Sequence, residues 1–205
     1  DMTRVLGVDH PDTLQCGNNL AYSFQSAGDV GRAIPLFEQV LASRTRVLGM
    51  DHPDTLASCT NLAGAYQAAG DLDRAIPLFE RTLAESLRVL GADHPHTLVS
   101  CNNLAGAYES AGDLDRAIPL FEQVLADRVR VLGEDHPQTL ASRINLAYAY
   151  ESVGDSGRAI PLFERVLADR VRVLGEDHPQ TVTLRKALLK AQAMARVTQV
   201  RPSTD

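Results

Sequence analysis

Residues 61–95 read NLAGAYQAAGDLDRAIPLFERTLAESLRVLGADHP, and residues 103–137 read NLAGAYESAGDLDRAIPLFEQVLADRVRVLGEDHP, a second copy 42 residues on. Internal self-similarity at a period of this size is the signature of a repeat array, and it takes precedence over any local reading. Asp-His-Pro marks the period at Asp9, Asp51, Asp93, Asp135 and Asp177. Four full repeats therefore run over 9–50, 51–92, 93–134 and 135–176. Residues 1–8 match the end of a repeat, 177–197 match only the first half of one, and 198–205 form a tail. The chain begins inside a repeat, which predicts a piece of a longer protein.

Within the second repeat, Leu56, Cys59, Leu62, Ala63, Tyr66 and Ala69 recur at spacings of three and four, the stripe of an amphipathic helix. Ala75, Ile76, Phe79, Leu83, Leu87 and Leu90 do the same. Each repeat thus predicts two helices of roughly 18 residues, and the chain nine helices in all. Gly70 is suited to a left-handed close of the first helix and Asp71 to capping the second, and Gly49 and Gly91 are expected to end second helices likewise. In Asp-His-Pro, the Asp reads as an N-cap and the Pro as a first-turn residue, with Gln138 and Gln180 three residues on at capping-box spacing. Pro35, Pro77, Pro119 and Pro161 fall inside the second helices, where each removes a hydrogen bond and should bend the helix slightly.

The chain has 205 residues, 44% hydrophobic, with a formal net charge of −6. That balance excludes a basic nucleic-acid binder and a disordered tail. No apolar run is long enough for a membrane span and no signal peptide is recognisable, so the expected location is cytoplasmic. No nucleophile stands with a base at a recognised spacing and no glycine-rich phosphate loop occurs, so an enzyme is not expected, nor a cofactor. His10, His52, His94, His136 and His178 recur once per repeat. Equivalent helices 8–10 Å apart would offer one ion about two of them, short of the four ligands zinc takes. His94 and His96, two apart, are not expected to face each other. Asp127–Arg130, Asp169–Arg172 and Glu85–Arg88 suit exposed ion pairs three residues apart. Cys59 and Cys101 are equivalent, Cys16 is one residue out of phase, and reduced, partly buried thiols are expected.

These features resemble the tetratricopeptide repeat, in the 42-residue variety seen in kinesin light chains and many bacterial signalling proteins. Leu62, Ala63 and Tyr66 match the family's first-helix residues, and Ala75 and Phe79 its second-helix residues. Phe24 replaces the Tyr in the first repeat, and Gly17, Cys59, Cys101 and Arg143 replace the family's early Trp. The resemblance implies an all-α fold, an α-solenoid of antiparallel helix pairs forming a right-handed superhelix with the first helices on its concave side. It also implies a protein–protein interaction module that holds a peptide or protein segment in the groove.

Asn19, Asn61, Asn103 and Asn145 recur once per repeat, although Asn is a poor choice inside a helix. In the family this position faces the groove, where an amide both donates to and accepts from a peptide backbone. The alternatives are that these residues bond across to the neighbouring first helix, or were merely copied with the repeat. Other groove positions implied by the resemblance are Asn18, Gln15, Thr60 and Asn102, then Tyr22 and Tyr148, then Gln25, Gln67, Glu109 and Glu151. Lys186 and Lys190 restore positive charge on the last helix, where Ala187 and Gln192 replace Asn and Tyr, as suits a cap on the array. Two classes of function stay open: a binding module within a larger bacterial signalling or regulatory protein, or a structural spacer or scaffold that associates with itself through its repeat ends.

Overall fold

A computed structural model describes residues 5–200, the side chains of 198–200 excepted. Residues 1–4 of the partial first repeat and 201–205 of the tail lie outside the described residues. Among the described residues there are no strands, and nine helices follow a helical stub at residues 5–6. They are α1 (Pro11–Ser26), α2 (Val30–Leu48), α3 (Pro53–Ala68), α4 (Leu72–Leu90), α5 (Pro95–Ser110), α6 (Leu114–Leu132), α7 (Pro137–Ser152), α8 (Ser156–Leu174) and α9 (Pro179–Val200). Odd-numbered helices are the first helices of the repeats and even-numbered helices the second. The last runs three residues past the predicted end at 197.

The chain divides into two compact units, Asp1–Gly112 and Asp113–Asp205. In the first, α1 packs against α2 and α3 against α4, while α2 also packs on α3 and α4 on α5. First helices also lie beside one another, α1 against α3 and α3 against α5. Among the described residues no comparable packing joins α2 to α4, so in this unit the first helices line the inner side of the stack. The second unit packs α6 on α7, α7 on α8 and α8 on α9.

The core repeats with the sequence. Ala33, Ala75, Ala117 and Ala159 are buried, as are Phe37, Phe79, Phe121 and Phe163, which are among the largest fully buried side chains. Leu56, Cys59, Leu62, Ala63 and Tyr66 are buried as the first-helix stripe predicts, whereas Ala69, its last predicted member, is the exposed C-cap, where the helix has ended. The second-helix stripe is corrected: Leu87 is exposed, while Thr82 and Ser86 are buried with Ala75 and Phe79. That face is narrower than hydrophobicity suggests, and small hydroxyl residues let the next helix come close. Thr97 on α5 donates its Oγ1 proton to the Ser86 carbonyl at 3.3 Å.

Helix starts differ from expectation in one respect. The residue that caps each first helix is the His of Asp-His-Pro, not the Asp. His52 has extended backbone (ψ 136) and its Nδ1 accepts the Asp54 amide at 3.1 Å, with Pro53 opening the helix. The reason lies in the proline: a residue before Pro is steered to extended backbone and Pro is favoured at the first helical position, so the capping place falls to the residue between Asp and Pro. Gln138 and Gln180 consequently stand two residues after the cap, and each gives its amide to the imidazole at 3.2 and 3.3 Å in place of a capping box. Second helices start as expected, with Asp71 accepting the Arg74 amide at 3.2 Å.

Helix ends also divide in two. Gly70 (φ +76) follows the Ala69 cap, and the Gly70 and Asp71 amides donate to the carbonyls of Gln67 and Tyr66, a Schellman close. Gly91 has positive φ but extended ψ (86, 167), so second helices end in the mirror-β region rather than the left-handed helical one, as does Gly49. Pro35, Pro77, Pro119 and Pro161 lie inside α2, α4, α6 and α8, where the sequence places them.

Candidate functional site: the first-helix face

In the first unit the predicted groove positions fall on α1, α3 and α5. Asn18, Thr60, Asn61, Asn102, Asn103, Gln25, Gln67 and Glu109 are half-buried, and Asn19 and Tyr22 are exposed. Several of these polar groups are already engaged with their neighbours. The Asn61 amide donates to the Asn18 Oδ1 at 2.9 Å, joining α3 to α1. Gln67 donates its amide to the Gly106 carbonyl at 3.1 Å and to the Ser110 hydroxyl at 2.9 Å, joining α3 to α5. Thr60 turns back on its own helix and donates to the Leu56 carbonyl at 3.1 Å. Asn19 accepts from Gln15 at 2.9 Å, and the Gln15 carbonyl oxygen in turn accepts from Arg44 at 3.1 Å. Glu109 has its carboxyl pushed up by burial.

In the second unit, Asn145, Tyr148 and Glu151 are half-buried on α7, and Lys186 and Lys190 are exposed on α9. Lys190 pairs with Glu151 at 2.8 Å, so one of the two lysines is spent on the neighbouring helix. Tyr148 packs edge-on against Phe163 at 5.1 Å and so belongs partly to the core. Gln192 takes the place of the repeat's Tyr, and its amide donates to Glu164 at 3.4 Å.

Sequence reasoning missed a cluster that recurs at the repeat junctions. The Tyr66 hydroxyl donates to Glu38, 28 residues earlier, at 2.6 Å, and Tyr108 does the same to Glu80 at 2.5 Å and Tyr150 to Glu122. The Arg74 guanidinium lies 4.2 Å over the Tyr66 ring and is held by the Asp71 carboxylate. Arg158 repeats this over Tyr150, and Arg32 over Phe24. That hydrogen bond holds the Asp71 carboxyl below the usual carboxylate range, as the equivalent Arg bonds do at Asp29, Asp113 and Asp155. The signal was the fixed 28-residue spacing of Glu to Tyr.

Buried arginines form a second unforeseen set. Arg44 is 7% exposed and donates to the Asp54 carbonyl at 3.0 Å and the Ser58 hydroxyl at 2.9 Å, stitching α2 to α3. Arg128 makes equivalent bonds to Gln138 and Ser142. Arg143, in place of the family's Trp, is buried and donates to the Glu134 carbonyl at 3.0 Å. A cavity of about 400 Å³ opens beside Arg44, lined by Leu14, Val47 and Leu48.

None of the three cysteines forms a disulfide; Cys59 and Cys101 are buried and Cys16 exposed, so burial is fuller than expected for two and absent for the third. Burial pushes the Cys59 thiol up. The ion pairs Asp127–Arg130, Glu85–Arg88 and Asp169–Arg172 form at 2.9, 2.8 and 3.5 Å. His94 and His96 correct the expectation for them: their rings stack with centroids 5.5 Å apart, because His94 is the cap and sits outside the helix, where helical spacing does not apply. Among the described residues no three His, Cys, Asp or Glu side chains gather as a metal site. No described helix is long and apolar enough to cross a membrane.

A family model of the tetratricopeptide repeat matches residues 17–84, 54–128 and 102–170, more than half of the chain. No curated protein matches it. Among solved structures, the nearly identical TPR-like repeats of a Podosopora anserina protein described as a kinesin light chain are 36% identical over 93% of this chain and 90% of that one, with a TM-score of 0.80. BtubC (BKLC) from P. vanneervenii shares the fold at 21% identity, the likeness covering 99% of this chain and 89% of that one, with a TM-score of 0.72. Repeat signature, helix pairing and structural likeness agree, and the chain belongs to the tetratricopeptide repeat family.

Proposed function

We propose that this chain is a protein–protein interaction module that takes a peptide or protein segment on its first-helix face, as a cytoplasmic part of a larger bacterial signalling or regulatory protein. Interaction scaffolding is the general role of the family. The observation that carries the finer reading is the row of half-buried polar side chains along α1, α3 and α5, with Asn61, Asn103 and Gln67 at its centre and Tyr22 63% exposed beside it. Side-chain amides can donate and accept at once, which suits an extended backbone irrespective of its sequence. On the second unit, Asn145, Tyr148 and the Lys190–Glu151 pair extend the same chemistry.

A spacer or self-associating scaffold is the second reading, favoured by the amides already engaged in Asn61–Asn18 and Gln67–Ser110 bonds. Leu20 on α1, the first helix, and Leu189 on α9, the last, are exposed apolar side chains. A peptide array probed with the parent chain and with the Asn61→Ala, Asn103→Ala, Asn145→Ala variant separates the two. Peptides that hold the parent and release the variant support groove binding. An array on which no peptide holds the parent, or on which the variant binds as well, defeats it in favour of the scaffold.

A further inference from the structure

We propose that the turn ahead of α5 is a proton-sensitive joint: proton uptake by His94 and His96 removes the cap of this helix and sets two like charges face to face at its positive end, so this helix start loosens before those of α1 and α3. The argument begins with the direction of the capping bond. His94 Nδ1 accepts the His96 amide at 3.2 Å, so the cap exists only in the neutral imidazole whose proton sits on Nε2. A protonated ring has no acceptor, and a positive charge at a helix N-terminus opposes the macrodipole.

The same Nδ1 bond is made by His10 and His52, at 3.2 and 3.1 Å. What differs is the residue two places on. It is Asp12 after His10, with a carboxylate oxygen 3.7 Å from the imidazole nitrogen, and Asp54 after His52, at 3.9 Å. In those two caps a carboxylate compensates the imidazolium and itself favours the helix N-terminus. After His94 the place is taken by His96, stacked at 5.5 Å and 15° between planes. Protonation there creates a pair of cations in place of an ion pair. Asp93 precedes the cap in the chain. From α4 the turn meets the carbonyl of Ser86, which takes the Thr97 hydroxyl, where α2 brings the Arg44 guanidinium to the equivalent turn before α3. Both histidines are reachable by solvent, His96 being exposed and His94 half-buried.

The experiment is amide hydrogen exchange on the full chain at pH 7.5 and 5.5, corrected for intrinsic rates, comparing amides 96–98 with amides 54–56. Loss of one cap corresponds to about a fivefold change in local opening, so protection at 96–98 should fall by about that factor or more while 54–56 changes less. The His94→Asn, His96→Asp variant keeps a good capping residue and puts the acid of the first and second repeats in the third, so it folds and should hold its protection at both pH values. Unchanged protection at 96–98 in the parent overturns the joint. So does an equal fall at 54–56, which would make every cap alike, or a fall that persists in the variant.

Discussion

The Tyr66 hydroxyl donates to the Glu38 carboxylate at 2.6 Å, which fastens the first helix of the second repeat to the second helix of the first. Tyr66 is buried and Glu38 exposed, so only one end of the bond is out of reach of water. Removing the hydroxyl in Tyr66→Phe keeps the ring that Arg74 covers and lets water take over Glu38. The cost should be about 0.5–1.5 kcal/mol, the net worth of one hydrogen bond. The urea midpoint measures it, and a midpoint equal to the parent's would remove the bond from the account of stability. Phe24 already stands in this place in the first repeat, with Arg32 still over its ring.

The equivalent junction between the third and fourth repeats gives an alkaline limit. Burial, with Glu122 adding to it and Arg158 opposing, pushes the Tyr150 phenol up to about 12 from an ordinary value of 10.0. The folded chain thus keeps this proton when the unfolded chain has begun to lose it. Its contribution is complete below pH 10 and is lost as pH rises from 10 through 12. Urea midpoints at pH 9 and 11.5 should fall less for Tyr150→Phe than for the parent, and parallel falls would show that other groups set the limit.

Acid-base chemistry aside, the imidazole caps make a local claim. His52→Ala leaves the first turn of α3 without its acceptor and should cost about 0.5–2 kcal/mol, whereas His52→Asn restores one and should stay near the parent. Thermal melts at pH 7.5 check both. If the Ala and Asn variants melt together, the Nδ1 bond at 3.1 Å does not stabilise the helix.

The 42-residue period sufficed to place every helix, because an apolar stripe repeated four times in register leaves no other consistent assignment. The capping residue escaped because Asp is the better intrinsic cap and stands beside the His; only the geometry imposed by Pro53 moves the role by one place. Leu87 was expected inside because hydrophobicity ranks it above Ser86, yet the close approach of α5 selects the smaller side chain. The Glu38–Tyr66 bond spans 28 residues, beyond any local periodicity. Of the predicted groove, Asn61 and Gln67 were placed on the right helix, but their lateral partners Asn18 and Ser110 depend on how neighbouring helices are offset, which spacing along one helix does not encode.

Gly91 separates two ways of ending a helix. At φ 86 and ψ 167 it lies where a side chain is strained whatever the space around it, and no atom stands within 4 Å of an added Cβ. Gly91→Ala should therefore cost about 1–3 kcal/mol from backbone strain alone. Urea denaturation reads the loss, and a variant within about 0.5 kcal/mol of the parent would mean that the turn relaxes out of this conformation at little expense.

The 2.9 Å bond from Asn61 to Asn18 decides how much of the first-helix face is free for a ligand. Both side chains are half-buried, so each lost partner is in part replaced by water, and Ala is the better helix former at either site by several tenths of a kcal/mol. A structural bond must therefore show itself as coupling rather than as a simple loss. In a double-mutant cycle of Asn18→Ala and Asn61→Ala, a bond that matters gives an interaction energy of about 0.5 kcal/mol or more, because the second substitution has nothing left to remove. Additive effects, with both single variants at or above parental stability, would mean that the amides are held only loosely and can exchange their mutual bond for a peptide backbone. The cycle is measured without any ligand, by urea midpoints, and its result tells whether a binding screen should expect Asn61 to be available. Strong coupling predicts that ligand contact passes to Asn103, whose counterpart one helix back is Thr60, already donating its hydroxyl to the Leu56 carbonyl at 3.1 Å.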